Sequence, residues 1–194
     1  MSPDQLDLFK NTKTKKMAIS GCSGMVGYYL SEFFKKKGWE VIPVTKKHLS
    51  SKEELEKVLS GANVVINLAG ESIANGRWTK RKKQRIFTSR IETTKKLVEV
   101  MNNLKTFPEL FLSVSGAGYF GSNPGYVRGE MEPPGDDFLA GVCVKWEGAA
   151  KHYIKGRVII PRFGIVISKS GGFFKRLKTL GKFFLLGKIG HGNQ

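Results

Sequence analysis

Apolar residues recur along this chain in two rhythms, and the switches between them mark the elements. Met17-Ala18-Ile19-Ser20 is a short apolar run that stops at Gly21. Beyond it Val26, Leu30, Phe33 and Phe34 fall at helical spacing. Lys35, Lys36 and Lys37 place cations at the carboxyl end of that helix, and Gly38 supplies a left-handed stop. Val41-Ile42-Pro43-Val44-Thr45 reads as a second strand, although Pro43 fits poorly in a sheet interior. Ser51-Lys52-Glu53-Glu54 has the form of a capping box, which predicts a short helix from Ser51 to Leu59 closed by Gly61.

Residues 63–68 are almost continuously apolar, the pattern of a strand covered on both faces, and end in Ala69-Gly70. A long helix is expected over about 79–102, a strand over 110–115, a helix over 138–154 and a strand over 157–163. Strands alternating with helices through short connections predict an α/β fold with a Rossmann-like, doubly wound parallel sheet. No internal repeat or low-complexity tract interrupts this order.

Composition narrows the picture. The chain has 194 residues, 40% hydrophobic and 25% charged, enough apolar material for one globular core. Lys+Arg of 33 against Asp+Glu of 16 give a net charge of +17. These cations are scattered singly and in short runs, without the interleaved aromatic residues of single-strand readers, which weighs against nucleic acid. Cys22 and Cys143 make neither a disulfide framework nor a metal site, so no metal is expected and a reducing, cytoplasmic setting is the natural reading. No run approaches the roughly 18 apolar residues of a membrane span. Residues 1–16 read as a polar extension, 17–170 as a dinucleotide-binding domain, and 171–194 as the start of a truncated substrate-binding portion.

The chemistry concentrates at the first turn. Gly21-Cys22-Ser23-Gly24-Met25-Val26-Gly27 sets three glycines at regular spacing between a strand and a helix. The first permits the turn, the second admits a pyrophosphate, and the third lets helix and sheet approach, while free amides at the helix start face the phosphate charge. The alternative is a tight turn with no ligand. An acidic residue at the end of the second strand would favour NAD; Thr45-Lys46-Lys47 stands there instead, so NADP is preferred and NAD remains possible. Two lysines merely solvated on a loop are the other reading.

Several motifs together make the chain resemble a known family. They are residues 19–27, Val65-Ile66-Asn67-Leu68-Ala69-Gly70-Glu71, Arg77-Trp78-Thr79 and Ser89-Arg90-Ile91. Others are Ser115-Gly116-Ala117-Gly118-Tyr119-Phe120-Gly121, Pro134 to Leu139, Trp146-Glu147-Gly148 and Arg162-Phe163-Gly164-Ile165-Val166. The chain resembles the extended short-chain dehydrogenase/reductases, in particular the atypical branch called epimerase family protein, similar to nucleoside-diphosphate-sugar epimerases. The resemblance implies that Asn67, Leu68, Ala69 and Gly70 pass beside the adenine and its ribose, with Glu71 and Arg90 nearby. It also implies that Ser113 and Ser115 lie next to the nicotinamide, with Arg162, Phe163 and Gly164 lining the cofactor site.

In active relatives a Tyr-x-x-x-Lys pair supplies the proton, since a phenol of pKa about 10 needs a nearby cation to work near neutral pH. Here those positions hold Leu139 and Cys143. Ser115 and Tyr119 are the catalytic candidates that remain. Two function classes stay open: an NADP-dependent oxidoreductase or epimerase with an unidentified small-molecule substrate, and a non-catalytic dinucleotide-binding sensor or scaffold. Trp78 and Trp146 read as core before ligand contacts, and His48, His152 and His191 as surface residues.

Overall fold

A computed structural model describes residues 15–74, 76–121, 129–168 and 181–182. The sequence expectations for residues 1–14 and nearly all of 171–194, His191 included, fall outside these residues. Strand β1 (Lys16–Ser20) lies between β2 (Glu40–Val44) and β3 (Val64–Asn67), followed by β4 (Leu110–Ser113) and β6 (Arg157–Ile159). All pairs in this five-stranded sheet are parallel, in the order β2-β1-β3-β4-β6. β2 is an edge strand, and that resolves the objection to Pro43, whose missing N–H costs no ladder bond on an outer side.

Alternation along the strands divides the core. Ala18, Val65 and Phe111 point to one face, where they meet Leu55 and Leu59 of α2 (Lys52–Leu59), Leu97 and Met101 of α3 (Lys80–Asn103), and Ala150 of α4 (Phe138–Lys151). Met17, Ile19, Val64 and Ile66 point to the other, packed with Trp39 and with Phe34 of α1 (Met25–Lys36). The sheet is therefore covered on both faces, as its unbroken apolar strands require. Burying each such side chain contributes roughly 1.5–3 kcal/mol.

Helix ends follow local chemistry. The Ser51 hydroxyl accepts from the Glu54 amide, Thr79 from Lys82, and Asp137 from Ala140, so each of α2, α3 and α4 starts on a side-chain cap. α3 nonetheless opens with Lys80, Arg81, Lys82 and Lys83 and has no acidic residue in its first turn. Gly38, at φ +80°, adopts the left-handed conformation after α1.

The sequence reading of single strands over 110–115 and 157–163 needs correction. The chain breaks at Val114 and again at Ile160-Pro161, giving β5 (Ser115–Gly116) and β7 (Arg162–Phe163), which pair with each other as a separate two-stranded ladder. Pro161 cannot donate to a ladder, but its carbonyl accepts from the Ser115 amide at 2.8 Å.

At the carboxyl ends of the strands lies a buried polar network centred on Asn67. Its Oδ1 accepts from Ser20 Oγ at 2.7 Å, and its Nδ2 donates to Thr94 Oγ1 at 2.8 Å and Ser113 Oγ at 3.3 Å. Thr94 Oγ1 also accepts from Trp146 Nε1 at 2.9 Å and donates to the Arg90 carbonyl at 2.7 Å. Leaving a buried polar group unpaired costs about 1–3 kcal/mol. Asn67→Ala should therefore lower the unfolding free energy in urea by about 2–3 kcal/mol, more than Ser113→Ala at the end of the longest bond. Equal, near-zero effects of the two substitutions would show that the network contributes nothing to stability.

Candidate functional site

The turn after β1 is shaped by close approach. Gly21 has φ +82°, and a Cβ there would come within 2.8 Å of the Leu68 carbonyl oxygen. A Cβ on Gly27 would lie 2.3 Å from the Gly21 oxygen, so helix and turn can touch only through a glycine. Gly24 differs: with φ −74° and ψ 159° its backbone suits any residue, and its nearest neighbour to a Cβ is the Gly21 oxygen at 3.2 Å. Among the described residues no side chain caps α1, and no acidic residue stands in its first turn, so its leading amides and positive helix end are free of a capping carboxylate there.

A cleft of about 860 Å³ opens beside this turn. It gathers Gly21, Ser23, Thr45, Lys46, Ala69, Gly70 and Glu71, each expected at the cofactor from the sequence. The structure adds Arg85, Thr88, Ser89 and Glu92 from α3, which share one helix face by their spacing of three and four. That spacing was visible in the sequence, but nothing there shows which face of a highly charged helix turns toward the strands. Lys47 does not line the cleft; its carbonyl accepts from Ser50 in a short helical turn over His48–Ser50. His48 Nδ1 accepts from the Thr45 amide at 3.2 Å. Met25 and Val26 line a neighbouring apolar groove with Tyr29 and Phe33, and Leu68 packs inside the core.

Glu71 anchors the wall after β3. Lys82 Nζ donates to its carboxylate at 2.6 Å, and the Lys82 side chain is only 5% exposed. The Lys82 hydrogen bond holds the Glu71 carboxyl below its ordinary pKa against the opposing effect of burial, with lesser help from the charges of Lys82, Arg85 and Lys46. The Glu71 amide donates to Ser89 Oγ, and its carbonyl accepts from Arg90 Nη1 at 3.0 Å. Arg90 presses on Gly70, where a Cβ would lie 2.9 Å from the guanidinium carbon, and stacks 5.2 Å from the Trp146 ring. Burial pushes its pKa down. Arg90 thus braces the turn beneath the cleft, and Trp146 is core, as expected.

A second cluster sits at β5. Ser115 is buried, and its Oγ has no hydrogen-bond partner among the described residues. The hydroxyl lies near enough to Cys143 and Glu147 to bias their ionisation, yet meets hydrogen-bond geometry with neither. Ser113, by contrast, is tied to Asn67. Leu139 and Cys143, one turn apart on α4, face the segment after β5: Leu139 packs on Gly118, and the Cys143 thiol lies 3.8 Å from the Gly116 carbonyl oxygen. Burial raises the Cys143 pKa, which keeps the thiol neutral.

Glu147 and Arg162 form a two-pronged ion pair, Nε–Oε1 at 2.8 Å and Nη2–Oε2 at 2.9 Å, with Glu147 almost wholly buried. Burial pushes the Glu147 carboxyl up, but the Arg162 hydrogen bonds and the nearby Ser115 hydroxyl outweigh it and hold the carboxyl below its ordinary value. The Arg162 carbon stands 3.4 Å over the centre of the Tyr119 ring. Arg162, Phe163 and Gly164 line a shallow groove with Val26. Trp78, 40% exposed, rests on Phe138 and donates to the Ile73 carbonyl. Among the described residues no helix is long and apolar enough to cross a membrane, and no group of three side chains could hold a metal.

Residues 17–137 match the model of the NAD dependent epimerase/dehydratase family. The chain belongs to that family. An epimerase family protein of Staphylococcus saprophyticus is 34% identical over 93% of this chain and 65% of its own length. The crystal structure of human epimerase family protein SDR39U1 with NADPH superposes with a TM-score of 0.84 at 28% identity, over 92% of this chain and 63% of that one. The nucleoside-diphosphate sugar epimerase of Corynebacterium glutamicum gives 0.75 at 32% identity, over 93% and 40%. This family member therefore spans less than two thirds of the relatives it matches. Its sheet and helices are those of a Rossmann-like α/β fold, and binding of a dinucleotide cofactor follows from the family.

The ion pair sets a pH dependence. A carboxyl whose folded pKa lies below its unfolded value stabilises the protein above the unfolded value and loses that contribution as pH falls through the folded one. The wild-type melting temperature should drop between about pH 5 and about pH 3, and Glu147→Gln should flatten that drop while melting lower near neutral pH, where Arg162 is left unpaired. Parallel melting curves for the two proteins across that range would show that the pair does not titrate with folding.

Proposed function

We propose that this chain binds NADP(H) in the cleft beside β1 and forms the dinucleotide-binding part of a cytoplasmic oxidoreductase or epimerase acting on a small hydroxyl or keto substrate. The observation that carries this reading is the uncapped α1 start above a glycine turn, next to a β2 end bearing Thr45 and Lys46 and no carboxylate. The cradle fits the group: Gly21 and Gly27 stand where a Cβ would strike backbone, and a Cβ at Gly24 would meet within 4 Å only the Gly21 oxygen, at 3.2 Å. The human relative's crystal structure with NADPH supports the same choice of cofactor.

In this reading the Met25 and Val26 amides and Ser23 hold the pyrophosphate, Thr45 and Lys46 the 2′-phosphate, and Ala69 and Gly70 the adenosine. The bound dinucleotide supplies hydride transfer. Ser115, a buried hydroxyl without a partner among the described residues, orients a substrate oxygen after turning about χ1 toward the groove lined by Arg162, Phe163 and Gly164. Tyr119 is the proton donor, its ring held by the Arg162–Glu147 pair. A second reading, a non-catalytic dinucleotide sensor, is favoured by Leu139 and Cys143, which face the place where a Tyr and Lys pair would work. Loss of general acid–base help alone lowers rates by about 10²- to 10⁴-fold.

Fluorescence titration should give tighter binding of NADPH than of NADH, with the preference lost in Lys46→Ala and unaffected by Lys47→Ala; equal affinities in the wild type would overturn the cofactor reading. Gly24→Val should fold and fail to bind either dinucleotide, whereas Gly27→Ala should lose stability by about 1–3 kcal/mol through the clash with Gly21. A Gly24→Val protein that binds normally would place the pyrophosphate elsewhere.

If the chain catalyses, Tyr119→Phe and Ser115→Ala should lower NADPH oxidation at unchanged cofactor affinity. Turnover of a panel of keto substrates that neither substitution alters would remove both residues from the site. Cofactor binding with no turnover of any of them would favour the sensor.

A further inference from the structure

We propose that Arg85 of α3 is a second cation for the 2′-phosphate, so that recognition of NADP over NAD comes from the helix as well as from the end of β2. This rests on the dinucleotide reading above and assigns a residue that sequence patterns did not single out. Arg85 lines the same cleft as Thr45 and Lys46. Glu71 lines that cleft too, and Arg85 reaches its carboxylate to 3.7 Å.

The pairing of charges there decides what Arg85 is free to do. Glu71 is already claimed by Lys82, a nearly buried ammonium at 2.6 Å with nowhere else to place its charge. Arg85 Nε stands 3.7 Å from the same oxygen, beyond hydrogen-bond reach, and its side chain is 52% exposed. Its guanidinium donates no hydrogen bond among the described residues. The other carboxylate of the cleft, Glu92, is paired with Lys95 at 3.2 Å, and Lys96 donates to the Leu49 carbonyl. Glu71 takes its short bond from Lys82 and Glu92 pairs with Lys95, so the cleft keeps a surplus of positive charge in Lys46, Arg85 and Lys96, whose ammonium meets only a neutral carbonyl.

A phosphate monoester carries about −1.5 to −2 charges near neutral pH, a match for two cations. The planar fork of arginine suits its oxygens better than a single ammonium does. The pyrophosphate does not need these side chains, because the α1 amides face it. Arg85 is therefore a specificity residue whose effect is confined to ligands carrying the 2′-phosphate.

The test compares adenosine 2′,5′-bisphosphate with 5′-AMP, which differ only in that phosphate, alongside NADPH and NADH, by calorimetry at fixed salt. Arg85→Ala should weaken the bisphosphate and NADPH by about 10- to 100-fold and leave 5′-AMP and NADH within about twofold. Arg85→Lys should recover part of the loss, and the selectivity of the wild type should shrink as salt rises. If Arg85→Ala weakens all four ligands alike, Arg85 acts on the adenosine or on the fold, and the assignment is overturned. The same holds if it weakens none while Lys46→Ala removes the preference. A wild type that does not distinguish the bisphosphate from 5′-AMP overturns the NADP reading itself, and this inference with it. Circular dichroism melting of each variant separates loss of binding from loss of fold; were Arg85→Ala to melt early, Arg85→Gln, which keeps the stem of the side chain, serves in its place.

Discussion

One buried amide fixes the geometry of everything around the cleft. Asn67 links β1 through Ser20, β4 through Ser113 and α3 through Thr94, and Thr94 passes the connection to α4 through Trp146. Its Oδ1 also lies 3.3 Å from the Ala69 amide, which holds the first step of the chain out of the sheet. Apolar contacts between strands and helices tolerate small slides, because hydrophobic burial is non-directional. Hydrogen bonds of fixed length and direction do not. The strand ends, where ligands of wound sheets bind, are accordingly the most tightly specified part of a core that is otherwise held by shape and area.

A second constraint acts on the walls. Arg90 fills the space beside Gly70, Lys82 is buried against Glu71, and Ser89 accepts from the Glu71 amide, so α3 fastens the 69–71 turn by three side chains within nine positions of its sequence. At the other end of the site, Glu147 and Arg162 join α4 to β7 with two short charge-assisted bonds. Pairs of this kind are costly to desolvate and more costly to break singly. Their value here is register: Ser115 stands opposite Arg162 in the β5–β7 ladder, so the pair fixes the unpartnered hydroxyl relative to α4.

Much of this was legible in the sequence because it follows from local pattern. The glycine turn, the five strands of the main sheet, the caps at Ser51 and the stops at Gly38 and Gly61 depend on residues close in the chain. The family resemblance sets Leu139 and Cys143 where a Tyr and Lys pair would stand, and in the structure they face Gly118 and Gly116. The points that local pattern does not reach are those set by distant partners. Lys46 and Lys47 look alike in sequence, and only the turn over His48–Ser50 decides that one enters the cleft. The resemblance sets Arg90 near the adenosine, and only the structure shows its Nη1 donating to the Glu71 and Ile86 carbonyls. Ser113 and Ser115 alternate along a strand pattern that breaks between them, which assigns one to the Asn67 network and leaves the other unpaired. Thr94 and Lys82 carry no local signal of burial at all; a threonine and a lysine on a charged helix read as solvent-facing until the packing of α3 on α4 and the 69–71 turn is known.

The opening of α3 carries a cost of its own. Lys80, Arg81, Lys82 and Lys83 crowd the positive end of the helix macrodipole, against which the Thr79 cap, the Glu71 carboxylate and the Phe138 ring beside Lys83 work. Buried apolar positions begin only at Ile86, so the first turn lacks the packing that secures the rest of the helix. That turn carries Lys82, held against Glu71, and Arg85 follows one turn behind. Order in this turn and occupancy of the cleft by an anion are then thermodynamically linked: each anion that settles near Arg85 relieves the repulsion and tightens the helix start, and each loosening of the start weakens the hold on the anion. On the proposed reading, a bound 2′-phosphate is the counter-charge that this helix start lacks.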